Sequence, residues 1–379
     1  MPDRHLNIVS FAIPYPPNYG GVIDVYHKLV ALKNLGVKVH LHCFRYDRQP
    51  APELENICES IHYYPRKTGF FSALRGKPYI VISRRSEELL KNLCLNDYPV
   101  LFEGLHTCLY LPHEALRGRS LIYRESNIEH DYYRHLANAE KNPFVKAFMY
   151  IEAFKLASFQ RVLKHASAML AVSQSDASYL HSRFPSGKVI YLPSFHGNYT
   201  VKSKEGRGAY ALYHGNLTVA ENVKAAEYLI KEVFNNLDIP LKVAGLNPSG
   251  SLKKLADKYG NVSLIASPDE KRMNELVSEA HVNILVTFQP TGLKLKLLNT
   301  LYKGRFVLVN PDMLAGSGLD VLCETANDTI SLKASLLQLF TETFDAGKII
   351  QRRDYLQKHY SDEANAKKLV EVVFGGDQD

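Results

Sequence analysis

The sequence predicts an α/β fold made of two Rossmann-like domains with parallel sheets. Three observations predict it. The chain has 379 residues, more than a single core usually holds. Short β-rich runs alternate with helical stretches along its whole length. One polar, Gly-rich and charged stretch, SFHGNYTVKSKEGRG at 194–208, interrupts the alternation, which then begins again. The domains are therefore placed at 1–194 and 209–379, joined by 195–208. The last helix is expected either on its own domain or packed back on the N-terminal one.

The elements follow in order. In the first half the strands are LNIVSFAI, VKVHLHCF, SIHYY, VLFEG, SLIYRE, AMLAVS and VIYLP, each an apolar run of the length a buried parallel strand needs. Periodic helices such as VYHKLVALKNLG lie between them. In SQSD, Ser173 and Asp176 make a helix start of the capping-box kind. The second half supplies AYALYHG, LKVAG, VSLIA, VNILVT and RFVLVN. Between the last two of these runs, Leu295, Leu298 and Leu301 mark a helix that Gly304 stops. SDEANAKKLVEVVF closes the chain with a helix beginning at Ser361 or Asp362.

Composition narrows the classes. The chain is 46% hydrophobic and 22% charged, as in a soluble globular protein, and no apolar run is long enough to span a bilayer. Its N-terminus lacks the pattern of a signal peptide. Five scattered cysteines without a CxxC pair suit reduced thiols in the cytoplasm. The net charge of +7 lies wholly in the first 200 residues, which hold 24 basic and 17 acidic side chains; the remainder holds 22 of each. That asymmetry suits an anionic partner such as a phospholipid surface or a phosphorylated substrate, and equally a plain solubility charge. Basic residues Arg66, Lys67, Arg75 and Lys77 surround Phe70 and Phe71, a pattern for a membrane interface or for a helix with core phenylalanines. No motif for nucleic acid is present. Neither HExxH nor an internal DxD supports a metal, and no GxSxG supports a hydrolase elbow.

Five stretches are candidates for chemistry. PYPPNYGGVIDVYHKL delivers Gly20 and Gly21 to a helix start, where backbone can approach an anion or make a turn of positive φ. ALYHGNLTVAENVKAAEYL does the same in the second domain with Gly215 and Asn216. His106 follows the strand VLFEG, where a ligand-facing residue or a structural histidine is expected. Arg124, Glu125, Asn127, Glu129 and His130 crowd after SLIY, and Ser126 or Asn127 is the expected helix cap. In TGLKLKLLNTLYKGRFVLVN, Lys294 and Lys296 occupy the electropositive first turn of a helix, and Asn299 sits in mid-helix. Two cations at that end make sense if an anion docks there.

Together these stretches resemble the bacterial group-1 class of retaining GT-B glycosyltransferases. The resemblance runs through residues 14–44, 124–180, 213–229 and 291–310 and covers most of the chain. It implies two Rossmann-like domains facing an interdomain cleft, with a nucleotide-diphosphate sugar as co-substrate and no other cofactor. It implies metal-independent transfer with retention, by front-side displacement, to a glycan, lipid-linked or protein acceptor. The expected place is the cytoplasm, including the inner face of the cytoplasmic membrane, and the expected process is polysaccharide biosynthesis for the cell envelope. His106 matches the family's cleft histidine. Gly20, Gly21, Gly215, Asn216, Thr291, Gly292, Lys294, Leu295 and Asn299 fall on the donor side. Arg124, Glu125, Asn127 and His130 fall on the acceptor side. Thr291 and Asn299 stand where the family has two glutamates, and Asn216 and Glu221 where it has Arg and Lys. These departures keep a second reading open, a catalytically degenerate nucleotide-binding partner. A third, an epimerase, would need acid/base work from Glu103, Glu125 or Glu129.

Overall fold

The computed structural model describes residues 3–69, 76–289 and 294–375. They form two compact units: one holds the chain up to Gly197 with the stretch from Tyr360 onward, the other the described residues from Asn198 to His359.

The first unit contains β1 His5–Ser10, β2 Lys38–Arg45, β3 Ser60–Pro65, β4 Val100–Glu103, β5 Leu121–Arg124, β6 Ala168–Ala171 and β7 Val189–Tyr191. They make one sheet in the order β3-β2-β1-β4-β5-β6-β7, and every pairing is parallel. The α-helices are α1 Gly20–Asn34, α2 Tyr79–Ile82, α3 Glu87–Leu93, α4 Glu129–Ala139, α5 Pro143–Phe159 and α6 Gln174–Arg183. All seven expected runs are strands; the central β4, β5 and β6 are buried throughout, as strands covered on both faces must be, while the edge strands β3 and β7 are mostly half-buried. One face packs Leu6, Ile8 and Leu41 against Leu29 and Leu369, and the other packs Val9, Phe102 and Tyr123 against Leu111 and Leu163. Strand order reverses between β1 and β4, so the loops after those strands flank the crevice where open α/β sheets take ligands.

In the second unit β8 Ala211–His214, β9 Leu241–Gly245, β10 Val262–Ala266, β11 Val282–Leu285, β12 Phe306–Val309 and β13 Glu324–Thr325 form a parallel sheet ordered β10-β9-β8-β11-β12-β13. Its α-helices are α7 Ala220–Tyr228, α8 Gly250–Ala256, α9 Glu270–Glu279, α10 Leu295–Lys303, α11 Pro311–Leu314, α12 Thr329–Thr341 and α13 Ala346–Tyr360. Here the order reverses between β8 and β11. The two-residue, exposed β13 has no apolar run and is absent from the sequence expectation.

The last helix, α14 Asp362–Phe374, starts at Ser361, whose hydroxyl accepts from Ala364 N. Ala366, Leu369 and Val373 enter the same core as α1. Asp362 accepts from His196 N at 3.1 Å and Gly197 N at 2.8 Å, and His196 Nε2 donates to Tyr360 O. Phe195 is fully buried. The first residues of the expected linker are therefore held as part of the first unit.

Beneath the β1/β4 crevice lies a buried quartet of charges. Lys28 Nζ donates to Asp24 at 3.0 Å and to Glu103 at 2.6 Å. Arg124 donates to Asp24 at 3.2 Å and to the Leu192 and Pro193 carbonyls. Asp24 also accepts from Phe195 N at 2.7 Å. Burial alone would raise the Asp24 pKa, but Arg124 and Lys28 hold it down at about 2. Two cations and two anions balance, and each is hydrogen-bonded, the condition under which buried charge is tolerated. Lys28→Met leaves Glu103 uncompensated and should cost about 3–5 kcal/mol in urea denaturation. Adding Glu103→Gln should recover roughly half of that loss. A single variant as stable as the wild type would contradict the balance.

Candidate active site

At the rim of the first unit, β4 ends at Glu103 and the chain turns through Gly104 at φ +71. A Cβ there would lie 2.8 Å from His106 Nδ1, so only glycine both adopts this backbone and lets the ring fold back. His106 lies 5.4 Å, ring to ring, from Phe11, and its Nδ1 is 3.8 Å from Glu129 Oε1. That nitrogen is buried and has no hydrogen-bond partner among the described residues. Ser126 Oγ donates to Glu129 at 3.5 Å. Arg84 closes the group from α2's C-terminal side, donating to Phe11 O at 2.8 Å and to Ile80 O at 2.6 Å.

Electrostatics sets the protonation of this group. Burial, with Arg84 and Arg66 nearby, holds the His106 pKa well below the ordinary value, so the ring is neutral. Burial pushes Glu129 up to about 7, although Arg84 and Ser126 hold it down. A carboxyl that titrates near neutrality beside a neutral imidazole can hold or give up a proton at Oε1.

The four residues assigned to the acceptor separate. Arg124, like Lys28, is a fully buried member of the quartet, and its guanidinium is taken up by Asp24 and the Leu192 and Pro193 carbonyls. Glu125 is fully buried, accepts from Val172 N at 3.2 Å and is pushed far above the carboxylate range by burial and by Asp176. His130 is buried against Tyr179, 3.4 Å from its hydroxyl. All three side chains turn inward to partners in the protein, as a polar cluster at a strand end does when partners wait there. Asn127 alone is partly exposed. Nor does either expected cap form: α4 starts after Ile128 without a side-chain cap.

Gly20 and Gly21 open α1, and neither has a positive φ, so the turn explanation fails. A Cβ at Gly21 would meet Phe11 Cζ at 2.6 Å, while Gly20 faces open space.

The rim of the second unit is built alike. Gly245 lets the loop after β8 cross closely, since a Cβ there would lie 1.9 Å from Gly215 O. At Gly215 a Cβ would press on the Asn222 side chain at 3.1 Å. Asn222 Nδ2 donates to Asn216 O at 3.0 Å, and its Oδ1 accepts from Lys296 Nζ at 3.2 Å. Lys296 also lies over the Tyr213 ring at 5.3 Å. Burial pushes it down to about 8, Glu221 opposes that and Lys294 adds to it. Thr287, beyond β11, donates its hydroxyl to Glu221, and its backbone is clamped by Asn310 in both directions, at 3.0 and 2.6 Å. Lys294 is the N-cap of α10, among the described residues no side chain caps that start, and Leu297 N donates to Lys294 O at 2.8 Å, so two lysines share the electropositive end of the helix. Leu295 and Asn299 are partly buried on that helix, and Thr291 and Gly292 lie outside the described residues. Lys296 is fixed from below: Thr300 Oγ1 donates to Lys296 O at 2.7 Å and so accepts from His214 Nε2 at 2.9 Å. That accounts for the His214 tautomer, and burial keeps the ring neutral at about 3.

Sequence reasoning missed Arg84, Ser126, Asn222 and Thr287 as site residues. Asn222, one turn into a helix behind a glycine loop, carried a usable signal. Arg84 carried none, because its partners are backbone carbonyls, one of them 73 residues away at Phe11.

No family model matches the chain. It is 26% identical over 394 residues to a Klebsiella pneumoniae protein described as an uncharacterized 44.6 kDa protein in the cps region, covering 97% of this chain and 98% of that one. Among solved structures, TarM superposes at a TM-score of 0.68 with 9% identity, covering 98% of this chain and 99% of that one. WaaG, a glycosyltransferase involved in lipopolysaccharide biosynthesis, superposes at 0.64 with 13% identity, covering 98% and 100%. OtsA in its apo form superposes at 0.62 with 10% identity, covering 98% and 99%. These neighbours are GT-B glycosyltransferases, and the chain has the GT-B fold, as the resemblance in its sequence implies. At such identities the likeness is one of fold.

The Glu129 assignment predicts a pH dependence of stability. Its pKa is raised in the folded state, from 4.5 to about 7, so the native protein binds the extra proton in that window. Its contribution is therefore fully present below about 4.5 and is lost as pH rises through about 7, by at most about 3 kcal/mol. Denaturation midpoints followed across that window should fall more steeply for the wild type than for Glu129→Gln. Parallel curves would refute the assignment.

Proposed function

We propose that the protein is a glycosyltransferase that moves a sugar from a nucleotide-diphosphate sugar to a glycan, lipid-linked or protein acceptor. Transfer retains the anomeric configuration and needs no metal. The observation that carries this reading is the start of α10, which carries Lys294 and Lys296 in its electropositive first turn and is tied through Lys296 and Asn222 to the Gly215–Asn216 loop. Such an end accepts a diphosphate. S. aureus TarM, of the same fold, has been solved in variant form with UDP and alpha-GlcNAc-glycerol, which supports reading a nucleotide site here.

In this reading the second unit holds the donor. The N–H groups of α10, Lys294 and Lys296 meet the diphosphate, and Asn299 offers a neutral amide to the ribose. Glu221 is the counter-ion of Lys296 until the diphosphate arrives. As the bond from the anomeric carbon to the phosphate oxygen breaks, these cations offset the growing charge on the leaving diphosphate. The acceptor oxygen attacks from the same face, and its proton passes to the leaving phosphate. In the first unit, His106 is a neutral hydrogen-bonding group for a sugar hydroxyl, with Glu129 at its back.

The reading of a nucleotide-binding partner without transfer rests on Asn299 and Glu221, which stand where the family carries other charges. Thermal-shift screening of nucleotides and nucleotide sugars finds the donor without knowledge of the acceptor. Release of nucleoside diphosphate from that donor then separates the two readings: transfer or slow hydrolysis supports the enzyme, and binding with neither supports the partner. His106→Ala should leave the donor-induced shift unchanged and lower turnover by roughly 100-fold. Full activity in that variant would remove its role.

A further inference from the structure

The helix α5, PFVKAFMYIEAFKLASF, carries aromatic and aliphatic side chains on nearly every side, with Lys146, Glu152 and Lys155 its only charges, a composition expected of a buried helix. It is not buried on both sides. Its inner face carries Ala153, Leu156 and Glu152, all buried. Glu152 anchors it, accepting from Tyr79 N at 2.5 Å and from Lys155 Nζ at 2.9 Å. Asn142 caps its start by accepting from Phe144 N and Val145 N, with Pro143 in the first turn. The outer face is set by the same helical spacing: Phe144, Phe148, Ile151 and Phe154 share it. Phe144 is 85% exposed, Ile151 55% and Phe154 76%. A capped, anchored helix that presents phenylalanines to water marks a surface with a partner.

Charge identifies the partner. Residues 131–164 hold six basic side chains against three acids, of which Glu152 is buried and Asp131 pairs with Arg134 at 3.0 Å. Lys141, Arg161 and Lys164 are exposed at the two ends of α5. A second copy of the chain seated face to face would bring these cations together, whereas an anionic bilayer pairs with them while its acyl boundary takes the rings. Among the described residues no helix is long and apolar enough to cross a membrane, so the helix would lie in the interface.

We propose that the outer face of α5 seats the protein on an anionic membrane surface, the phenylalanines entering the acyl boundary and the flanking lysines and arginines meeting the headgroups. This surface differs from the 64–79 stretch singled out in the sequence, whose Phe70 and Phe71 lie outside the described residues. It stands independently of the transfer reading.

The sequence contains no tryptophan, so the Phe154→Trp variant of the full chain carries one indole reporter. Its emission should shift to the blue with phosphatidylcholine vesicles containing phosphatidylglycerol, while the exposed Leu95→Trp control should not shift. In co-sedimentation with the same vesicles, joint replacement Phe144→Ser, Phe148→Ser and Phe154→Ser should weaken partitioning by at least about ten-fold. The thermal midpoint should hold, because these side chains are outside the core. Removing phosphatidylglycerol should weaken binding of the wild type by a similar factor of about ten. Three results would overturn the proposal: failure of the wild type to sediment with anionic vesicles, sedimentation without a blue shift at Phe154→Trp, or light scattering that shows a wild-type dimer turned into a monomer by the triple replacement.

Discussion

The first unit depends on the salt-bridged quartet of Asp24, Lys28, Glu103 and Arg124. Asp24 and Lys28 lie on α1, Glu103 ends β4, Arg124 ends β5, and the Leu192–Phe195 segment is tied in through carbonyls and one N–H. Three of the segments that carry rim residues hold these anchors: Gly20 and Gly21 open α1, His106 follows β4, and Glu129 follows β5. Buried charges of this kind add little net stability over a well-packed apolar core, but their geometry is demanding. Their place beneath the crevice suits a role in fixing where three loops begin.

The second unit reaches the same end with small residues and neutral hydrogen bonds. Gly245 admits the β8 loop, Gly215 admits Asn222, and Asn222 holds Lys296. The Thr300 hydroxyl links His214 to the backbone of Lys296, so the lysine that faces Glu221 is oriented from two sides. One rim therefore presents a neutral imidazole with a carboxyl that titrates near neutrality, and the other presents a cation lowered toward neutrality by burial. The first is suited to a hydroxyl, the second to a phosphate that restores the charge.

The strands were legible because parallel sheets bury both faces and write themselves as apolar runs; β13, two exposed residues, was not. The two glycine loops and His106 were legible as loop residues after strands. The direction of a polar side chain was not. Arg124 and Asp24 are 100 residues apart, and nothing local says that they meet. In α10 the expected Leu295, Leu298 and Leu301 stripe became Leu297, Leu298 and Leu301, because the helix begins at Leu295 and leaves that residue at the rim. The same frame turns Lys296 inward toward Asn222, a contact that depends on a helix start 74 residues earlier in the chain. The outer face of α5 was hidden for the opposite reason: an apolar run reads as core until the fold shows which side is covered.

The central claim is that the start of α10 with Lys294 and Lys296 is a diphosphate site. Calorimetric titration of the pure protein with nucleoside diphosphates and the matching monophosphates tests it most directly. One diphosphate should bind at least about ten-fold tighter than its monophosphate. That gap should close when Lys294→Ala and Lys296→Ala are combined. Equal affinities for the two nucleotides, or a gap that survives the double replacement, would contradict it.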